Sequence, residues 1–102
     1  MAQFDLYKNP RTSRYPLLLD VQSEVLARLS TRVVVPLMTL KRYGAKPISR
    51  LNPTVRVGNV DHVVLVQELA AIPLSELRDK VASLSSRRAE IVAAVDLLFT
   101  GL

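Results

Sequence analysis

At 102 residues, with 49% apolar and 23% charged side chains, the chain has the material for one domain (1–102) around a single core and too little for a second. Fourteen Lys and Arg against nine Asp and Glu give a formal charge of +5, and the basic excess leaves open an acidic partner. With no cysteine and a single histidine, His62, the sequence excludes disulfides, thiolate metal sites and a cysteine nucleophile, and the expectation is no metal and no cofactor.

The first seventy residues read as short strands broken by Pro, Gly and Asn. Phe4 and Leu6 alternate with polar neighbours around 3–7. Tyr15 to Val21 forms a second strand candidate after the polar stretch 8–14, and Pro16, which has no N–H to donate, puts its start at an edge. Arg32 to Leu40 is the most apolar candidate, with Pro36 demanding a bulge or an unpaired side. A long polar loop over 41–52 follows, holding Gly44 and Pro47. Segments 53–58 and 62–67 look like a hairpin joined by Gly58-Asn59-Val60-Asp61, whose residue types tolerate positive φ. Leu69 to Ile72 is a further strand closed by Pro73, and 74–84 is ambiguous, with one helical turn expected at Ser75-Glu76-Leu77.

From Ser85 the apolar period changes from two to 3.6, with Ile91, Val95, Leu98 and Leu102 on one stripe flanked by Val92 and Phe99. That predicts one amphipathic helix, capped at its start by Ser85 or Ser86 and at its end by Gly101 in the left-handed conformation. Its last turn carries bulky apolar residues where Lys or Arg would complement the helix dipole, so Leu102 folds back on the helix, the tail is an interface, or both hold at once. The expected architecture is a mainly antiparallel β barrel or sandwich with one C-terminal helix.

Charge is unevenly distributed. Residues 1–50 hold nine cations (Lys8, Arg11, Arg14, Arg28, Arg32, Lys41, Arg42, Lys46, Arg50) against Asp5, Asp20 and Glu24, whereas the second half is nearly balanced. Aromatics are scattered rather than interleaved with this basic half, which argues against direct nucleic-acid binding. No GxSxG elbow, P-loop or paired-carboxylate pattern is present, His62 opens an apolar strand, and no catalytic residue is assigned. The longest apolar run, Val33 to Met38, falls far below the ~20 residues of a membrane span, and Asp5 and Lys8 occupy the stretch where a secretory leader is apolar, so a cytoplasmic protein without a membrane partner is expected.

In its order of segments the chain resembles the CcdB family of toxins from toxin–antitoxin modules. The likeness runs end to end: Gln3-Phe4 and Tyr7, Ser13-Arg14-Tyr15, Asp20-Val21-Gln22-Ser23, Val35-Pro36-Leu37, 53–58, Ile72-Pro73-Leu74, Leu84-Ser85 and the closing Phe99-Thr100-Gly101-Leu102. The resemblance implies the SH3-like β-barrel with a C-terminal helix shared by CcdB, MazF and Kid toxins. It implies a homodimer and a non-enzymatic toxin that binds the DNA gyrase A subunit and traps the cleaved DNA–gyrase complex. It also implies neutralisation by a CcdA-like antitoxin, which supplies the operator-DNA contact when the pair represses its own operon, with a role in plasmid maintenance. The family's gyrase-contacting positions fall on Val25, Leu26, Asp96, Phe99, Thr100, Gly101 and Leu102; Thr100 and Asp96 stand where the family's best-known member has Trp and Asn. Arg14, Arg32, Lys41, Arg42, Lys46 and Arg50 are the candidates for attracting an acidic antitoxin segment. The alternatives are a MazF- or Kid-like endoribonuclease and a homologue that binds antitoxin without killing.

Overall fold

The computed structural model describes residues 2–11 and 14–101. Seven strands form one antiparallel sheet: β1 (Asp5–Lys8), β2 (Leu17–Asp20), β3 (Thr31–Thr39), β4 (Thr54–Val57), β5 (Val60–Val64), β6 (Ala70–Pro73) and β7 (Lys80–Ser83). Their order is β4-β5-β3-β2-β1-β7, with β6 also on β3. Among the described residues there are two α-helices, the single turn α1 (Leu40–Tyr43) and the thirteen-residue α2 (Arg88–Thr100). The fold is therefore mainly β, a curled antiparallel sheet closed over by one C-terminal helix.

Proline explains how nine-residue β3 serves three neighbours. Along one edge β2 pairs through Leu17↔Leu37 to Asp20↔Val34. Along the other, β6 takes Thr31 to Val34 and β5 takes Leu37 to Thr39. Pro36, with no N–H to give, falls in the gap between them, where its carbonyl accepts from Leu65 N at 3.0 Å. The unpaired side expected of Pro36 is thus a fork in the sheet. Pro16 likewise sits immediately before β2, where no ladder donor is needed.

Period-two alternation sorts the strands into two buried faces. Leu6, Leu19, Val35, Leu37, Val55 and Val64 face α2 and pack with Ile91 and Ala94. Their neighbours point the other way: Tyr7, Leu18 and Val34 pack with Leu77, while Met38, Val63 and Leu65 gather Tyr15, Leu40 and Tyr43. Phe4 lies just before β1 at φ +70°, a region a bulky side chain rarely enters. Its N–H donates to Asp20 O at 2.7 Å and its carbonyl accepts from Leu84 N at 2.8 Å, which puts its ring in the same core as Leu6.

Several local expectations are corrected. The hairpin turn is the two-residue Gly58-Asn59, with φ of +57° and +66°, so β5 begins at Val60 and ends at Val64. Val66–Glu68 is a 3₁₀ turn, not strand, because the chain leaves the ladder at Leu65 to reach Pro36. The loop after β3 starts with α1, capped by Thr39 Oγ1, which accepts from Arg42 N, and ended by Gly44 at φ +69°. The ambiguous stretch resolves into a 3₁₀ turn at Leu74–Glu76 and strand β7. A 3₁₀ turn at Ser85–Arg87 precedes α2, so the serines lie outside the helix; Arg87 stands at its N-cap with no side-chain cap, and Ser83 Oγ accepts from Ser85 N.

Candidate interaction surfaces

The end of α2 is built as a protruding apolar tip. Ile91 and Ala94 are buried against the sheet, Val95 and Leu97 are half-covered, Leu98 is 36% exposed and Phe99 is 67% exposed. The last turn carries no basic residue. Two of the carbonyls near its end are met internally: Gly101, in the left-handed conformation at φ +75°, donates its N–H to Leu97 O at 3.0 Å, and Thr100 Oγ1 donates to Asp96 O at 2.7 Å. Gly101 therefore sits where expected. Leu102 lies outside the described residues, and with it the expected fold-back onto the helix.

The second apolar feature is the loop after β2. Val25 is 91% exposed, with Leu26 and Leu29 about half exposed beside it. A buried polar frame holds this loop. Asp20 Oδ2 accepts from Arg32 Nε at 3.0 Å and from Arg32 Nη2 at 2.7 Å, and its Oδ1 accepts from Gln22 N at 3.0 Å. The Gln22 side chain then bridges outward, accepting from Val33 N and donating to Leu26 O, both at 3.0 Å. Ser23 Oγ accepts from Val25 N, and Glu24 accepts from Gln3 N at 2.9 Å. Every polar side-chain atom buried among the described residues has a partner.

These two features lie apart. Val25 shares a hollow with Ser85 and Arg88 at the start of α2, whereas Phe99 is near its far end, about 16 Å along the axis at 1.5 Å per residue. One chain therefore does not bring Val25 and Leu26 together with Asp96, Phe99, Thr100 and Gly101.

The basic candidates divide. Arg32, expected on the surface, is only 1% exposed and is locked to Asp20; it serves the interior and is corrected from that group. Arg14, Lys41, Arg42, Lys46 and Arg50 are exposed. Arg14 and Arg42, 28 positions apart, line one groove, while Arg50, at φ +70°, borders another hollow with Pro53, Glu90 and Ala93. The sequence signal for Arg32 was available: Asp20 ends one apolar run and Arg32 opens the next, and antiparallel pairing of those runs puts the two together.

His62 is buried, with Nδ1 2.9 Å from Val60 O. Among the described residues no group of three or more His, Asp or Glu is placed to hold a metal ion. The pKa displacements belong to structural pairs. Glu90 is lowered mainly by the hydrogen bond from Arg87, and Arg11 is raised mainly by its hydrogen bond to Glu76. Tyr7 is raised mainly by burial, then by the charges of Asp5 and Asp20. No helix among the described residues is long and apolar enough to cross a membrane.

Comparison with known proteins agrees with this architecture. The solved Mycobacterium tuberculosis toxin MazF-mt6 superposes with a TM-score of 0.73 over 93% of this chain and 95% of that one, at 19% sequence identity, which establishes a shared fold. The model of the CcdB protein family matches residues 3–101, nearly the whole chain, and covers both the loop after β2 and the tip of α2. The chain belongs to the CcdB family.

Proposed function

We propose that this protein, a toxin of a toxin–antitoxin module by its family, acts without catalysis, by inserting the tip of α2 into the gyrase A subunit and holding the enzyme in its DNA-cleaved state. The observation that carries the reading is Phe99, a large apolar side chain left 67% exposed on a helix that is anchored to the core through Ile91 and Ala94. Two copies paired about a twofold axis along the Val95 and Leu98 side of α2 would cover that half-exposed stripe and set two Phe99 side chains next to each other, matching a twofold target. Asp96 and Thr100 border this surface, and Gly101 lets a partner backbone approach closely. Leu102 extends it. Val25 and Leu26, displaced toward the start of α2, would contact the target at its periphery. Binding one conformation of the target better than the others is enough to populate it, so no proton transfer is required.

The exposed cations Arg14, Lys41, Arg42, Lys46 and Arg50 would attract an acidic, CcdA-like antitoxin, raising its association rate more than its final affinity. Operator DNA would be reached through the antitoxin. Removing residues 100–102 is expected to abolish growth arrest while leaving a folded dimer, and hosts selected for resistance to the intact protein are expected to carry changes in topoisomerase genes. Toxicity that survives the truncation, or cleavage of RNA by the purified protein, would overturn the reading.

A further inference from the structure

The chain has three tyrosines, and the two that are not in the strand core, Tyr15 and Tyr43, line the same groove. Each directly follows an arginine in sequence, and both arginines, Arg14 and Arg42, line that groove as well. Two Arg-Tyr pairs are thus brought together by the turn before β2 and by α1. The groove encloses about 390 Å³, within the range of pockets that take small ligands. Its floor is apolar: Met38 and Leu65 are buried, and Tyr15 and Tyr43 pack against their cluster. Its rim is cationic. The Arg14 guanidinium lies 5.4 Å from the centre of the Tyr15 ring, and neither Arg14 nor Arg42 is ion-paired within the described residues. One acid, Glu68, borders the groove and accepts a hydrogen bond from the Tyr15 hydroxyl at 3.4 Å.

A ligand that satisfies all of this is flat and aromatic at one end and anionic at the other. We propose that the groove binds a nucleotide unit of a single-stranded nucleic acid, the base against the tyrosine rings over Met38 and Leu65 and the phosphates held by Arg14 and Arg42. Stacking on aromatic faces together with a basic rim is the physical basis of single-strand binding, and it needs no base-specific hydrogen bonds. An acidic peptide would use the two arginines but has no comparable use for both rings. The proposal concerns binding alone and stands independently of the action at the tip of α2. Glu68 opposes a phosphate here, so its carboxylate limits affinity and excludes ligands whose charge falls on its side.

The test is fluorescence anisotropy of labelled RNA and DNA hexanucleotides titrated with the intact protein at several salt concentrations. Binding that weakens with salt is expected, with RNA and DNA arms separating the two sources of the strand. Tyr43→Leu, which keeps the groove apolar, is expected to weaken binding roughly tenfold, in line with the loss of one stacking face. Arg42→Gln should weaken it and reduce the slope of log affinity against log salt by about 0.7, while Arg56→Gln, which removes a charge from β4, should leave that slope nearer the wild-type value. Glu68→Gln should tighten binding. Absence of binding at low salt would overturn the proposal. So would binding unchanged in Tyr43→Leu, or an acidic decapeptide that binds as tightly as the oligonucleotides with the same response to every variant, since either shows a charged surface only.

Discussion

The two halves of α2 obey opposite rules. In its first half Ile91 and Ala94 are sealed against the sheet, and the preceding 3₁₀ turn is tied by Arg87, which pairs with Glu90 and donates to Thr54 O at 3.0 Å. In its second half Leu98 and Phe99 are left open, while Gly101 N and Thr100 Oγ1 donate to the carbonyls of Leu97 and Asp96. A helix in a chain this short would gain stability by burying its whole apolar stripe. Leaving the last turn bare separates two tasks along one element, the first half holding the molecule together and the second half available to something else.

That separation can be broken by substitution, and the largest effect is expected away from α2 altogether. Asp20→Ala leaves the buried guanidinium of Arg32 without its carboxylate and should cost about 3–5 kcal/mol in urea unfolding, the toll of an uncompensated buried charge. Because the same frame holds Gln22 and, through it, Leu26 O, the loop carrying Val25 should lose amide protection in hydrogen exchange well before the strands do. Ile91→Ala, in the sealed half of the helix, should destabilise by about 2–5 kcal/mol, since it empties a fully buried site. Gly101→Ala places a Cβ in the left-handed region and should cost about 1 kcal/mol by thermal unfolding, although nothing within 4 Å obstructs the added atom.

Smaller effects depend on pH. Tyr7 is held neutral by burial and by Asp5 and Asp20, with its folded-state pKa above the ordinary value. Its contribution is therefore intact below that ordinary value and is lost as pH climbs through the folded one, so stability should decline above roughly pH 10 and Tyr7→Phe should flatten the decline. Glu90 has the opposite sign. Its pKa is depressed by Arg87, so the pair helps above the ordinary carboxylate range and fades as pH falls, an effect kept small by solvent exposure.

The pattern of the chain announced most of the architecture. Pro16 and Pro36 marked where ladder donors would be missing, Gly58-Asn59-Val60-Asp61 marked the hairpin although its turn uses only the first two, and the shift to a 3.6 period at Ser85 marked α2, because each is a local constraint on dihedrals or donors. What escaped is non-local. Arg32 counts as a surface cation in any tally of charge until β2 and β3 are paired and Asp20 comes within 2.7 Å. Tyr15 and Tyr43 look scattered along the chain, and only the packing of α1 and the turn before β2 onto Met38 and Leu65 unites them. Phe4 and Leu6 share one core, as their spacing suggested, but Phe4 lies outside β1 with a left-handed backbone that the alternation did not show. The tip of α2 was legible as an unusual apolar ending, since its missing basic residues and its Gly101 are properties of sequence alone.

The central claim is that the bare end of α2 is a docking surface and contributes little to the fold. Its most direct test is the affinity of the Phe99→Ala protein for the isolated gyrase A subunit, measured beside its unfolding midpoint in urea. Loss of an anchor side chain predicts binding weakened by tenfold or more with stability changed by less than about 0.5 kcal/mol. Unchanged affinity in a protein that unfolds normally would contradict it.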